Sequence, residues 1–297
     1  MMAVLPHADM KERNMTIREM TGPFGAIAEG LDLARDRDDG TIRTLIDALH
    51  AHQILVVPAQ RLENADYVAF GRRFGTPLGF FLADHRADEF PEMIRISNAA
   101  ATPARYRDGA VHWHADNTYE TVPASVTMLY GVEVPEVGGE TLIASGALAY
   151  DALDDAMKSR IDGLTGLHCL GGSPPLPDEK IPFVPESTAA HGISRHPLVM
   201  RHPVTGRKAL FTSATAFGVD GMDRDEGRAL IAELRAHIVQ PRFTLSCKVE
   251  QGDVFLWDNF QVLHTATPLE YSDLPGKRRL LYRISTKGLP DLYGGAA

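Results

Sequence analysis

Arg242-Phe243-Thr244-Leu245-Ser246-Cys247-Lys248-Val249 alternates apolar and polar residues without a break. Successive side chains of a strand point to opposite faces, so Phe243, Leu245, Cys247 and Val249 share one face. Arg242, Thr244, Ser246 and Lys248 share the other, the pattern of an antiparallel strand packed on one side and wet on the other. Outward from it, residues 125–134 and 141–144 read as extended, separated by a Gly138-Gly139 turn. The run Ile54-Leu55-Val56-Val57, closed by Pro58, reads as a fully buried strand. Helical spacing is confined to a few segments. Ile42, Leu45, Ile46 and Leu49 follow the Asp38-Asp39-Gly40 turn, and Tyr67, Phe70 and Phe74 lie between an Asn64 cap and Gly75. Ala149, Ala152, Leu153, Ala156 and Met157 predict one helix after Ser145, and Asp223 with Glu226 predicts a capping box. Short strands with a few helices laid outside imply a mainly β fold with helical decoration, a double-stranded β-helix (jelly roll, cupin-like).

No linker or repeat divides the chain, so residues 16–297 are expected to form one domain. Residues 1–15 carry Met1, Met2, Met10 and Met15 without periodicity and read as a disordered leader or an over-long start. Residues 171–190 hold five Pro and few aliphatics, which predicts a lid or a disordered loop. The apolar runs are too short to span a bilayer and no signal-peptide core is read near Met1, so no membrane partner is expected. A net charge of -9 argues against a nucleic-acid partner, because phosphate binding relies on a basic surface. Two cysteines, Cys169 and Cys247, make neither a disulfide framework nor a metal-spaced pair, and the expected compartment is the cytoplasm.

The chemistry rests on His114-Ala115-Asp116 and a distant His264. Two imidazoles and a carboxylate can hold Fe(II) on one face and leave the opposite positions to substrates and O2. On a strand, His114 and Asp116 point the same way. The triplet alone is weak: with 12 His and 39 acidic residues in 297 positions, roughly one or two His-x-acid triplets arise by chance, and His7-Ala8-Asp9 is one. A buried histidine by itself is most often a hydrogen-bonded core residue. The company of the triplet is more telling. Gly138-Gly139-Glu140-Thr141 follows it, and Arg279 follows His264. A keto-acid such as 2-oxoglutarate chelates iron at one end, and its far carboxylate needs a fixed cation, which a guanidinium matches in two-pronged fashion. Thr141 can add a hydroxyl. Arg279, Leu281 and Arg283 share one strand face, and Arg278, Leu280 and Tyr282 the other.

Together, His114-Ala115-Asp116, Gly138-Gly139-Glu140-Thr141, Trp257-Asp258-Asn259 with His264, and Arg279 with Arg283 resemble the taurine and 2,4-dichlorophenoxyacetate dioxygenase family. These are Fe(II)- and 2-oxoglutarate-dependent oxygenases with a double-stranded β-helix. The likeness runs from about Met20 and includes Ala26 to Leu33, residues 70–75, His196-Pro197-Leu198-Val199 and His202-Pro203-Val204-Thr205-Gly206-Arg207. It implies that His114, Asp116 and His264 bind the iron and that Arg279 and Thr141 bind 2-oxoglutarate. Arg283 matches an arginine that often contacts an acidic substrate. The spacing from His264 to Arg279 is longer than usual, with residues 270–276 as the expected surface insertion. His112, Tyr119 and Asn98 are candidate substrate-lining residues. The implied reaction hydroxylates, with or without ensuing cleavage, a small anionic molecule and releases succinate and CO2. Asp116 argues against halogenation, since related halogenases lack this carboxylate. Three other readings stay open: desaturation, cyclisation or another oxidation in a natural-product pathway; a three-histidine cupin-type centre using His112; and a non-catalytic metal- or ligand-binding jelly roll. A homo-oligomer, dimer or tetramer, is expected.

Overall fold

The apolar run at 54–57 is buried on both faces because it lies inside a sheet covered by helices on one side and by a second sheet on the other. The computed structural model describes residues 15–79, 86–87, 89–102, 112–170 and 192–294. The described strands begin with β1 (Thr16–Glu19), β2 (Ala26–Glu29), β3 (Ile54–Val57), β4 (Thr76–Pro77), β5 (Ile94–Ser97), β6 (Ala124–Glu133), β7 (Thr141–Ser145) and β8 (Thr165–His168). They continue with β9 (Ser194–Pro197), β10 (Val199–Arg201), β11 (Lys208–Leu210), β12 (Ala216–Val219), β13 (Thr244–Cys247), β14 (Val254–Asp258), β15 (Val262–Ala266) and β16 (Leu280–Lys287). The helices are α1 (Asp39–His52), α2 (Asn64–Gly71), α3 (Gly146–Asp151), α4 (Asp155–Ile161) and α5 (Arg224–Ile238).

The main sheet runs β1-β2-β3-β14-β6-β16-β4, with β5 also paired to β16. A second sheet runs β13-β7-β15 and a third β12-β8-β9. This is a mainly β jelly-roll architecture with few helices. Period two sorts its core. From β14, Val254 and Leu256 pack under α1 and α2, while Phe255 and Trp257 point the other way, to Ile143 and Val262 of the second sheet. β16 divides likewise, Ile284 toward the helices and Leu281 between the sheets. A third cluster joins Leu230, Ile231 and Leu234 of α5 to Val219 of β12 and Leu263 of β15.

Several local expectations need correction. The 242–249 stretch is a strand only at β13, because Pro241–Phe243 winds into a 3-10 turn; Phe243, Cys247 and Val249 are nevertheless buried. The helix predicted after Ser145 is two. Ser145 Oγ accepts from the Leu148 N–H to start α3, and Asp154 accepts from the Met157 N–H to start α4, so a second cap interrupts continuous helical spacing. Asn64 is not the cap of α2: Glu63 holds that position, the α-helix stops at Gly71, and a 3-10 turn carries the chain to Gly75. Asp38 and Asp223 do cap α1 and α5. Residues 171–190 lie outside the described residues, as do 1–14; Met15 packs against the main core. Among the described residues no helix is long and apolar enough to cross a membrane.

The third sheet buries His168 completely, and burial pushes its imidazole down to about 3, helped by neighbouring His196 and Arg235. The unfolded chain takes up this proton near 6.5, whereas the folded protein resists it. Stability is therefore complete above pH 6.5 and declines as pH falls, by at most about 1.4 kcal/mol per pH unit for one such group. The urea midpoint is expected to be lower at pH 5.5 than at pH 7.5, with His168→Gln flattening part of the slope. Equal midpoints at the two pH values would overturn this.

Candidate metal centre

His264 stands on β15, facing the main sheet, and is buried. His114 is brought to it by an isolated antiparallel bridge: the His114 N–H donates to the His264 carbonyl at 2.9 Å, and the His264 N–H donates back at 2.8 Å. The triplet thus lies not on a regular strand but on an extended arm that turns at Asp116, with Asn117 at φ 54°. The arm still converges on one point. His114 Nε2 is 3.9 Å from Asp116 Oδ1, His264 Nε2 is 3.7 Å from Asp116 Oδ2, and the imidazole centroids are 4.1 Å apart. One donor atom from each residue lies within 4.8 Å of the others.

Protonation suits a cation. His114 Nδ1 lies 2.6 Å from the His112 carbonyl, which can only accept, so the proton sits on Nδ1 and the Nε2 lone pair faces Asp116. Burial pushes both imidazoles down, His264 to about 3. Burial alone would raise Asp116, but His264, Arg283, His114 and the Thr127 hydroxyl outweigh it and hold the carboxyl at about 2. The permanent charge among these is Arg283, whose Nη1 is 3.4 Å from Asp116 Oδ1. Two neutral imidazoles and an ionised carboxylate are a donor set that fits Fe(II).

The support of Asp116 is less visible in the sequence. Thr127 Oγ1 of β6 donates to Asp116 Oδ2 at 2.7 Å, and Asn259 Oδ1 accepts from the Asp116 N–H at 3.1 Å. Asn259 Nδ2 donates to Thr127 Oγ1, and Trp257 Nε1 donates to Asn259 Oδ1. Thr127 was legible only as a hydroxyl on the inner face of an apolar strand.

The other sequence-predicted residues separate into two groups. Thr141 opens β7, buried beside the Gly138-Gly139 turn, where both glycines have positive φ. Gly139 packs on Arg279: a Cβ there would lie 3.6 Å from Arg279 Cδ. Burial lowers Arg279 to about 10 against the nearby Glu140 carboxylate, so its guanidinium stays cationic at neutral pH. Tyr119 is buried, its phenol pushed up by burial and within the electrostatic reach of Glu120, Arg283 and Asp116; Asn117 Nδ2 donates to its oxygen. Two residues are used differently from expectation. His112 is exposed, and it serves the cluster through its carbonyl rather than as a third imidazole. The Asn98 carboxamide is committed to the backbone of Glu270, Lys277 and Arg279 rather than to a cavity.

A second group of the same composition, His50, His202 and Asp258, is more deeply buried. Its hydrogen bonds argue the opposite way. His202 Nδ1 accepts from the Val204 and Thr205 N–H groups, so the proton sits on Nε2 and is donated to Asp258 Oδ2 at 2.9 Å. A metal on Nε2 would leave an imidazolate with no proton on either nitrogen. His202–Asp258 is a structural pair.

A sequence profile described as the taurine catabolism dioxygenase TauD, TfdA family matches residues 16–285. The chain is 32% identical over 279 residues to the (S)-phenoxypropionate/alpha-ketoglutarate-dioxygenase of Sphingobium herbicidovorans, spanning 92% of this chain and 95% of that one. It is 33% identical over 276 residues to the alpha-ketoglutarate-dependent 2,4-dichlorophenoxyacetate dioxygenase of Cupriavidus pinatubonensis, spanning 89% and 94%. The crystal structure of AAD-2 with Mn(II) and N-oxalylglycine superposes with a TM-score of 0.76 at 28% identity, covering 93% of this chain and 98% of that one.

Anaerobic titration with Mn(II) is expected to give one tight equivalent per chain. Thr127→Val should weaken it by about 10–100-fold without changing the stoichiometry, as expected for a lost partner of a ligand. His50→Gln should leave one equivalent; two equivalents falling to one in His50→Gln would show that the second group binds metal.

Proposed function

Because the chain belongs to the TauD, TfdA family, we propose that His114, Asp116 and His264 hold its iron while Arg279 and Thr141 hold 2-oxoglutarate. The protein is an Fe(II)- and 2-oxoglutarate-dependent dioxygenase, and its substrate is a small molecule. We place a C–H bond of a small organic anion as the group hydroxylated, with succinate and CO2 released. The observation that carries this reading is a pair of guanidiniums at the start of β16. Arg279 immediately precedes the strand and lies against the Gly139 turn, and Arg283, four residues on and within it, lies beside Asp116.

The residues divide the labour. When bound, the iron supplies the oxygen chemistry. Arg279 receives the far carboxylate of 2-oxoglutarate, and the Thr141 hydroxyl adds a second contact to it. Arg283, at the metal end, receives the anionic group of the substrate, and Tyr119 forms wall beside it. The apolar contacts of Trp257 and Leu281 exclude water from the inter-sheet side. Aryloxyalkanoates, the class named for both relatives, head the substrates to test.

Succinate release across aryloxyalkanoates, sulfonates, sulfate esters and amino-acid derivatives is expected to single out an anion, and Arg283→Ala should raise its KM. Preference for an uncharged molecule would refute the substrate reading. Arg279→Ala should weaken 2-oxoglutarate binding by roughly 2–5 kcal/mol, the usual cost of removing one partner of a buried charged pair. An unchanged requirement would move the role to Arg283 or to Arg278, which pairs with Glu133 at 3.3 Å. His264→Ala should abolish metal binding at stoichiometric Mn(II), and retained tight binding would displace it from the ligand set.

A further inference from the structure

Asn98 is almost completely buried, at 3% exposure, just past the end of β5. Ser97 pairs with Leu280, so Asn98 falls opposite Arg279 as the two strands separate. There it takes both polar groups of the Arg279 backbone. The Asn98 N–H donates to the Arg279 carbonyl at 3.3 Å, and the Arg279 N–H donates to Asn98 Oδ1 at 2.6 Å. The rest of the amide reaches into the preceding excursion of the chain. Asn98 Nδ2 donates to the carbonyls of Glu270 and Lys277, both at 2.9 Å, and the Asn98 carbonyl accepts from the Ser272 N–H at 3.0 Å. One side chain therefore staples both ends of the 270–279 segment, which contains the surface insertion expected at residues 270–276.

We propose that Asn98 is a positioning residue for 2-oxoglutarate binding: it fixes the backbone from which the Arg279 guanidinium reaches the co-substrate. This rests on the reading of Arg279 as the carboxylate's partner. The chemistry demands an amide. The site presents one N–H and two carbonyls, so a single side chain must accept once and donate twice. Asparagine does so; aspartate keeps the acceptor but turns its second oxygen on two carbonyls, and alanine supplies nothing.

The staple matters for affinity more than for turnover. A guanidinium recognises a carboxylate through fixed geometry, and its stem is already confined against Gly139. With the excursion released, Arg279 samples more backbone positions, and binding must order the segment each time. Once 2-oxoglutarate is bound, the segment is ordered and the metal ligands on β15 and the 114–116 arm are where they were. The signature is a loss of co-substrate affinity with metal affinity and kcat retained.

The test uses full-length protein loaded with Mn(II) and calorimetric titration with 2-oxoglutarate, alongside steady-state succinate release with Fe(II). Asn98→Ala is expected to raise the 2-oxoglutarate Kd and KM about tenfold, the scale of one or two net hydrogen bonds. Mn(II) affinity and kcat should stay within about twofold, the margin left when none of the groups changed touches the metal. Asn98→Asp, which sets a carboxylate oxygen against two carbonyls, should lose at least as much co-substrate affinity as Asn98→Ala. Asn98→Ser, whose hydroxyl can still donate and accept, carries the test if Asn98→Ala does not fold. Parallel losses of metal affinity, co-substrate affinity and kcat would overturn the proposal in favour of a general structural role. Arg279→Ala is the reference. If it weakens 2-oxoglutarate binding and the Asn98 variants do not, the positioning role fails while the reading of Arg279 stands. If Arg279→Ala binds 2-oxoglutarate normally, that reading falls and the proposal with it.

Discussion

The reciprocal backbone bridge between His114 and His264 is the constraint on which the site depends. It joins an irregular arm to a regular strand, so two imidazoles from remote parts of the chain are set by main-chain geometry before any side chain is chosen. The rest of the centre builds outward from it. Asp116 follows two residues later and meets the hydroxyl of Thr127 and the amide of Asn259, both carried by neighbouring segments of the main sheet. That sheet is in turn held flat against α1 and α2 by an apolar face of Val254, Leu256 and Ile284. Burial that would be costly for an isolated carboxylate is offset here by hydrogen bonds and a guanidinium.

Composition alone does not distinguish a metal centre from a core pair. His114/Asp116/His264 and His50/His202/Asp258 contain the same residue types, and the second group is the drier. What separates them is the group facing Nδ1 of one histidine in each. A carbonyl faces His114 and leaves a lone pair on the inner nitrogen; two amide N–H groups face His202 and put a proton there. The decision is made by backbone atoms of residues 112, 204 and 205, whose identities carry almost no information about it.

This is why some of the molecule was legible in the sequence and some was not. Apolar residues two apart in β14 and β16, or continuous in β3, report burial directly, because strand geometry converts spacing into facing. His114, Asp116 and His264, which we propose as ligands, stand out in the sequence with Thr141 and Arg279 through motif and resemblance. In the sequence Asn98 looks like a lining residue, because a polar side chain near a motif suggests a ligand, yet its side-chain partners are backbone groups of residues 270, 277 and 279. Thr127 carries no local signal inside an apolar strand, since its partner Asp116 lies on another segment. The break between α3 and α4 was hidden because Asp154 as a cap competes with helical spacing that continues through it. In each case the deciding contact is between a side chain and a distant backbone, which no local pattern encodes.

The turn that carries Tyr119 has its foundation in the third sheet. Ser194 Oγ donates to the Tyr119 carbonyl, and His196 Nε2 donates to the carbonyls of Thr118 and Glu120, so the turn is moored to β9 of the third sheet. The 114–116 arm bridges to β15 of the second sheet and meets Thr127 of the main sheet. It is also tied to the segment leading into β12, where the Ala214 N–H donates to the Trp113 carbonyl and the Ala115 N–H to Ser213 Oγ. The third sheet therefore supports the Tyr119 turn through β9 and, through the segment before β12, part of the arm that carries His114 and Asp116. A shift in the packing of the third sheet would be felt at Tyr119 and at the His114–Asp116 arm together, so the two are coupled rather than separately adjustable.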